Sequence, residues 1–270
     1  MMCRRKHFVR VGLALLFFVF SGFPVWADEK GDFDHEQALE QLHEKKEHEE
    51  RELKRLSEMV LIPAGEFVMG RNGLSSNEQP AHTVYLNAFS MDKYEVTQLQ
   101  YLSALGVNPS YFEKCPLCPV EKVTFHQASE YCAKAGKRLP TEAEWEKAAR
   151  GGTTGWYYWD RDHMDLYAWY GNNAGKRTRP VGTRNPNRYG LYDMAGNVWE
   201  WVQDWYDPNY YPKSPQRNPR GPAKGSFKVI RGGSWGTPPE KMAHAYRDSR
   251  EPNTRYINSG FRCAKDAGKP

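Results

Sequence analysis

Short apolar runs, separated by glycine and proline, dominate the sequence from Met59 onward. Residues 60–62 (VLI), 67–69 (FVM) and 83–86 (TVYL) are apolar or alternate between apolar and polar side chains, with glycine or proline between the runs. Runs of this length that end near turn-forming residues are typical of β-strands. The pattern therefore predicts a domain that contains sheets and begins near Met59.

Three later segments carry the signature of a helix start. A threonine is followed three residues later by glutamine or glutamate, and in such a capping box the two side chains satisfy each other's free backbone amides. The pairs are Thr97 with Gln100, Thr124 with Gln127, and Thr141 with Glu144, and the glycines at 106, 136 and 151 lie where each helix is expected to end. The chain then becomes rich in Gly, Asn, Pro and Trp, which predicts long loops held by aromatic packing.

Residues 28–57 have a different composition. From residue 34 to 57 the chain is rich in Glu, Lys, His, Gln and Leu and contains no Gly or Pro. Opposite charges recur three or four residues apart, which favours a helix. Charged residues in the middle interrupt any apolar seam between its leucines, so a coiled coil is weakly supported. We interpret this segment as a charged helical spacer exposed to solvent.

The first 27 residues have the three parts of a secretory signal. Four basic residues lie within the first ten, an apolar run follows from residue 11 to 20, and Val25-Trp26-Ala27 resembles a cleavage site. The apolar run is short for a bilayer span, so cleavage near Ala27 is favoured over a retained anchor. We therefore expect a periplasmic or secreted protein, which would contact a membrane only through this segment if it stayed uncleaved.

Charge and cysteine content fit this division of the chain. The formal net charge is +5, and because the first ten residues contribute four bases, residues 28–270 carry about +1. A basic nucleic-acid surface is thus not indicated, and we expect no nucleic-acid partner. Cleavage would leave four cysteines, an even number that can pair fully in an oxidising compartment.

Six sequence blocks resemble the formylglycine-generating enzyme (sulfatase-modifying factor) family. They are VLIPAGEFVMG (60–70), EVT (95–97), RLPTEAEWE (138–146), YGLYDMAGNVWEW (189–201), RGGSW (231–235) and GFRCA (260–264). The blocks occur in the order that the family shows. The resemblance implies an α+β fold of low regular secondary structure, related to C-type lectin domains, over residues 58–267.

The block at 189–201 resembles the part of the family that binds calcium. The resemblance implies that the side chains of Asp193 and Glu200 and the carbonyls of Gly196 and Val198 are the ligands. Calcium prefers oxygen ligands of this kind in a flexible geometry. We expect calcium as a cofactor, and the residues alone leave a salt-bridged or water-bonded turn as the alternative.

The chain departs from the family at a second calcium site. Ala168 stands where the family has asparagine, although Asn173 could still ligate. We therefore expect this second site to be absent or rearranged.

A second departure concerns copper. The family's oxidases have two reactive cysteines after the RGGS block, which bind copper as thiolates. Residues 235–260 contain no cysteine here, and Met242 and His244, two residues apart in one loop, would make only a weak site. We expect no copper and assign no catalytic residue.

The four cysteines beyond residue 27 are interpreted as structural. The family counterparts of Cys132 and Cys263 form a disulfide, so the resemblance implies that bond here. Cys115 and Cys118 form a CxxC motif, for which a local disulfide, thiol exchange and metal binding are all open. The prolines in and after the motif, together with export, favour the disulfide.

These features favour a non-catalytic binding or accessory module that is stabilised by calcium. We expect its partner to be a protein or another component of the cell envelope, and a glycan is one possible ligand. The aromatic residues at 156–159, 205–206 and 210–211 suit stacking on a sugar or a peptide, although in loop-rich folds such rings more often belong to the core. The alternative is an oxidoreductase that resembles the family's formylglycine-generating or siderophore-tailoring enzymes. It would need a mechanism without copper thiolates.

Overall fold

The structure is a computed structural model that describes residues 29–73 and 75–268. The predicted signal segment, residues 1–27, lies outside the described residues. Five α-helices are present in the described part: α1 Glu29–Leu56, α2 Gln98–Leu105, α3 Phe125–Lys134, α4 Glu142–Arg150 and α5 Met164–Tyr167. Its nine strands are β1 Met59–Ile62, β2 Gly65–Met69, β3 His82–Leu86, β4 Phe89–Asp92, β5 Trp199–Trp205, β6 Lys228–Arg231, β7 Asp248–Arg250, β8 Ser259–Gly260 and β9 Ala264–Asp266. None of these helices is both long enough and apolar enough to cross a membrane.

The charged segment predicted to be helical forms α1. Leu39 and Leu42 are mostly exposed on it, as expected of a solvated helix. At its end Leu56 is buried with Tyr94 and Val181. The chain divides into two units within α1, between residues 47 and 48, and the second unit contains the nine strands of the described residues and helices α2 to α5.

All three predicted capping boxes are confirmed. At the starts of α2, α3 and α4 each threonine side chain accepts a hydrogen bond from the backbone amide three residues later. The side chain of that later residue accepts a hydrogen bond from the backbone amide of the threonine. Helices α2 and α4 end at the predicted glycines, Gly106 and Gly151, in the left-handed conformation. Helix α3 is capped one residue early, at Ala135, because Gly136 N–H bonds to the carbonyl of Ala133 and tightens the last turn.

The strands form three small sheets within the described part of the chain. Strands β1, β4 and β9 form one sheet in that order, β2 and β3 form a hairpin, and the third sheet has the order β7-β6-β5-β8. Strand β5 is antiparallel to β6 and parallel to β8. This arrangement places Glu200 opposite Arg231 on one side and Gly260 on the other.

Aromatic rings and two disulfides hold the second unit together. Trp145 of α4 and Trp201 of β5 are fully buried. The structure contains the predicted disulfide between Cys132 and Cys263, and the CxxC pair, Cys115 and Cys118, is also joined. The aromatic run at 156–159 is mainly core, as favoured above, since three of its four rings are buried and only Trp156, 45% exposed, reaches solvent.

Candidate functional site

The predicted calcium ligands lie in one tight turn that leads into β5. Asp193, Gly196 and Asn197 adopt positive φ angles of 55°, 87° and 55°. A β-carbon at Gly196 would lie 2.1 Å from the carbonyl oxygen of Trp169, so only glycine fits there. The turn brings Asp193 close to Glu200, the first acidic residue of β5.

Glu200 is buried, and both of its carboxylate oxygens accept hydrogen bonds. The guanidinium of Arg262 donates to them through Nε and Nη2 at 2.8–2.9 Å. Trp145 Nε1 donates to Oε2 at 2.9 Å. Arg262 is itself fully buried and also donates to the carbonyl of Tyr192. The sequence-based assignment of Glu200 to calcium missed this arginine partner.

Two further carboxylates share the site with Glu200. Glu95 accepts from the amide of Val198 and from the side chain of Asn197. Burial, reinforced by the nearby charges of Asp193 and Glu200, raises the pKa of Glu95 well above its ordinary value. Burial also raises the pKa of Asp193 to about 6. Glu95, Asp193 and Glu200 all act on the one guanidinium of Arg262, and we call these four residues the carboxylate cluster.

The charge of the carboxylate cluster suits a bound cation, because three carboxyl groups surround the guanidinium of Arg262 and only the weaker influence of Arg184 on Asp193 adds to it. Asp193 Oδ2 accepts from the amide of Gly182 at 2.8 Å, whereas its buried Oδ1 has no hydrogen-bond partner and is free to ligate. Glu200 would have to share its carboxylate with Arg262. No three Asp, Glu, His or Cys side chains in the described chain can hold a metal by themselves. The predicted site therefore needs the carbonyls of Gly196 and Val198, and calcium here stays a prediction.

At the family's second calcium position, the side chain of Asn173 forms hydrogen bonds with neighbouring residues of the protein. Ala168 is fully buried and offers no side-chain ligand. Asn173 Nδ2 donates to the carbonyl of Ala168 at 3.0 Å and to Asp165 at 3.1 Å, while its Oδ1 accepts from the amide of Tyr170. The side chain of Asn173 thus holds a turn, and the absence or rearrangement of a second calcium site stays a prediction.

The segment after the RGGSW block offers packing instead of a soft metal site. Met242 and His244 are each 1% exposed. Burial lowers the pKa of His244 to about 3, and its ring stacks on Tyr158 with the centroids 5.4 Å apart. Every cysteine that the structure describes is in a disulfide. This part of the chain therefore supplies no free thiol for copper.

An open groove of about 920 Å³ borders the loop that follows α4. Residues 152–160 form one wall and residues 186–188 another. The exposed ring of Trp156 stacks against the guanidinium of Arg71, 4.7 Å from the ring centre, and Trp159 Nε1 is buried without an acceptor. We call this feature the aromatic groove. An exposed indole beside polar groups is suited to stacking on a sugar ring or a peptide side chain.

A comparison with known protein families identifies the family of this chain. A family model described as a sulfatase-modifying factor enzyme 1-like domain matches residues 44–267. The chain belongs to this family. The matched region contains the carboxylate cluster, both disulfides and the aromatic groove.

Curated relatives within the sulfatase-modifying factor family carry different names. The chain is 37% identical over 242 residues to a protein named serine/threonine-protein kinase pkn1 from Chlamydia pneumoniae, and this alignment covers 78% of the chain and 38% of the relative. The chain thus spans well under half the length of the Chlamydia relatives that it matches. It is also 33% identical to a formylglycine-generating enzyme from Streptomyces coelicolor, with 77% of the chain and 89% of the relative covered.

Solved structures confirm the α+β fold that the resemblance implied. Variable protein 1 of Treponema denticola superposes with a TM-score of 0.73 at 33% identity and covers 77% of this chain and 95% of its own. PvdO from Pseudomonas aeruginosa has a TM-score of 0.70 at 32% identity and covers 77% of this chain and 94% of its own. The α+β fold expected of the formylglycine-generating enzyme family is therefore correct for this chain.

Glu121 is a buried acid that our interpretation of the sequence did not single out. Its side chain lies beneath the loop before it, where Oε1 accepts from the amide of Phe112 at 2.9 Å and Oε2 is buried without a partner. Burial raises the pKa of Glu121 to about 7. The apolar residues Val120 and Val123 close to it gave the only signal in the sequence, since their burial can carry an adjacent acid out of solvent.

Replacing Glu121 with glutamine should stabilise the protein at alkaline pH. Because the folded pKa exceeds the unfolded one, the folded state holds the proton more tightly, and stability falls as pH rises from about 4.5 to about 7. Glutamine keeps the acceptor for Phe112 and removes the charge. We expect Glu121→Gln to be more stable than the wild type by roughly 2 kcal/mol at pH 8 and nearly equal to it at pH 5.

Denaturant unfolding at the two pH values measures this difference. Glu113→Gln, a change at an exposed acid on the same loop, is the matched control and should leave the pH profile unchanged. A Glu121→Gln protein whose stability follows the wild type at both pH values would contradict the raised pKa.

Proposed function

We propose that this member of the sulfatase-modifying factor family is an exported binding or accessory module without thiol-dependent oxidase activity. The observation that carries the proposal is the position and the bonding of the cysteines. Residues 235–260 contain none, and the four that the structure describes are all in disulfides. The thiolate is the species that ligates copper and exchanges with a substrate thiol, so the described residues supply no free cysteine for the chemistry of the oxidases.

The proposed role has three further parts, each resting on one feature. Export to the periplasm or the exterior rests on the signal-like residues 1–27. Stabilisation by calcium rests on the excess of carboxylates around Arg262 and the free Oδ1 of Asp193. Binding of a protein or envelope partner, with glycan as one option, rests on the exposed Trp156 in the aromatic groove.

An oxidoreductase of the same family, working without copper thiolates, is the second candidate. Its support is the 33% identity to the formylglycine-generating enzyme of Streptomyces coelicolor over most of that relative. Such an activity would need a redox centre other than a cysteine pair. Within the described residues, the buried and neutral His244 does not provide an accessible ligand for one.

An oxidation assay separates the two candidates. The purified chain is incubated with a cysteine peptide, copper and oxygen, and mass spectrometry follows the conversion of thiol to aldehyde, with the Streptomyces enzyme as positive control. We expect no conversion and no thiol-dependent oxygen consumption. Conversion by the wild type would overturn the proposed function. Conversion that also persists when Cys115, Cys118, Cys132 and Cys263 are all replaced by alanine would identify a redox centre other than a cysteine.

A further inference from the structure

A second groove lies on the second unit, away from the lining of the aromatic groove. It has a volume of about 750 Å³ and is open to solvent. Its walls come from the loop before α3 and from the turn at residues 175–177. The side chains that matter are Tyr111, Phe112, Glu113, Lys122, Lys176 and Arg177, and we call this feature the basic groove.

The cations of the basic groove outnumber its acidic side chains. Lys122, Lys176 and Arg177 form no ion pair with any carboxylate in the described part of the chain. Buried arginines elsewhere in the domain are paired, for example Arg71 with Glu78 and Arg150 with Glu146. Three cations against the single carboxylate of Glu113 leave the cleft with a net positive charge, which focuses the electrostatic field and attracts ligands of the opposite sign.

Three lysines at or next to the groove adopt backbone angles that are unfavourable for lysine. Lys122 and Lys176 adopt φ angles of 61° and 58°, and Lys114, next to the lining residue Glu113, adopts 64°. This left-handed region is costly for residues with a β-carbon and free for glycine. A conformational role alone would favour glycine at these positions, so the long cationic side chain is what each lysine contributes.

The aromatic wall indicates what kind of anion fits. Tyr111 is 61% exposed, and Phe112 packs edge-on against Trp235 with the centroids 5.5 Å apart, while Arg177 lies over the Phe112 ring. No aliphatic side chain lines the groove. A bound peptide usually places a buried apolar or aromatic anchor in a pocket, and this groove has no pocket for one. A sugar ring needs only a flat aromatic face for its C–H groups and polar groups for its substituents.

We propose that the basic groove binds an acidic polysaccharide whose carboxylate-bearing rings stack on Tyr111 and pair with Lys122, Lys176 and Arg177. This inference rests on the proposed binding function and names its ligand class. The groove adjoins Trp235 of the RGGSW block through Phe112, so the ligand would lie beside the segment in which the family's oxidases carry their cysteines. In this chain that segment contacts ligand without reacting with it.

Calorimetry with the full chain and a hexamer of galacturonic acid tests the inference. The wild type should bind the hexamer and should not bind its methyl-esterified form, which has the same rings without the charges. Lys176→Glu combined with Arg177→Glu should weaken binding at least about tenfold, since two attractive charges become repulsive. Tyr111→Ala should weaken binding about fivefold and leave the salt dependence of the affinity unchanged.

A charge-matched control keeps the experiment specific. Lys224→Glu combined with Lys265→Glu changes the net charge equally at exposed positions outside the groove, and it should alter the affinity less than about twofold because the solvent screens distant charges. Circular dichroism and thermal unfolding of all variants confirm that they are folded.

Three outcomes would overturn the inference. They are wild-type affinity in the Lys176→Glu/Arg177→Glu variant, equal binding of the methyl-esterified hexamer, and tighter binding of a glutamate hexapeptide, which would identify an acidic peptide as the ligand. None of these results bears on the oxidation assay. Thiol-to-aldehyde conversion would contradict the proposed function, whereas loss of charge dependence would contradict only the ligand class.

Discussion

Replacing Cys132 and Cys263 with alanine is expected to lower the free energy of unfolding by about 5 kcal/mol. The disulfide joins α3 to the strand segment before β9 across 131 residues of sequence. Cross-linking so long a loop removes a large amount of conformational entropy from the unfolded chain, and both cysteines are fully buried in the aromatic core. Chemical denaturation of the oxidised wild type and of the double variant measures the loss.

The CxxC pair supplies the matched control for that experiment. Cys115 and Cys118 are only three residues apart, so their bond closes a very short loop and constrains the unfolded chain little. Replacing both with alanine should cost much less than removing the long-range bond. If the two double variants lose the same stability, loop closure is not the source of the stabilisation by the Cys132–Cys263 disulfide.

Local features of the fold could be predicted because the residues that determine them are neighbours in sequence. A capping box needs only a threonine and a glutamine or glutamate three residues later, and all three predicted boxes are present. The strands at 60–62, 67–69 and 83–86 are likewise set by short apolar runs. The overall α+β fold came from the family resemblance, since no periodic pattern specifies the loops between residues 152 and 198.

The contacts that complete the site could not be predicted because their partners are distant in sequence. Glu200 meets Arg262 at a separation of 62 residues, and Asn197 meets Glu95 at 102. A carboxylate in a turn motif looks the same in sequence whether an arginine or an ion neutralises it. The basic groove was missed for a similar reason, since Lys122 and Lys176 come from separate loops and the net charge of residues 28–270 hides a local excess.

Replacing Arg262 with methionine should be among the most destabilising single changes, at roughly 3–5 kcal/mol in the absence of calcium. The variant would lose the three hydrogen bonds that Arg262 donates to Glu200. It would also leave Glu95, Asp193 and Glu200 buried together without Arg262, the charge that acts on all three, since Arg184 is a weaker counter-charge to Asp193. Arg262→Lys retains the charge and should lose less stability, which gives a second variant to measure if the methionine protein does not fold.

Calcium should partly reverse the loss caused by removing Arg262, if the turn holds the ion. The guanidinium of Arg262 competes with calcium for the carboxylate of Glu200 and also repels the calcium ion. Arg262→Met and, to a smaller extent, Arg262→Lys should therefore bind calcium more tightly than the wild type. Thermal unfolding in calcium and in chelator measures this effect, because stabilisation grows as RT ln(1 + [Ca]/Kd).

Glu200→Gln combined with Arg262→Met is the control, since it removes the charged ligand and should abolish the calcium response. If the melting temperatures of the wild type and of both Arg262 variants are the same in calcium and in chelator, the turn does not bind calcium. Arg262 alone would then stabilise the buried carboxylate of Glu200. The remaining negative charge of the carboxylate cluster would be removed by protonation, which agrees with the raised pKa values of Glu95 and Asp193.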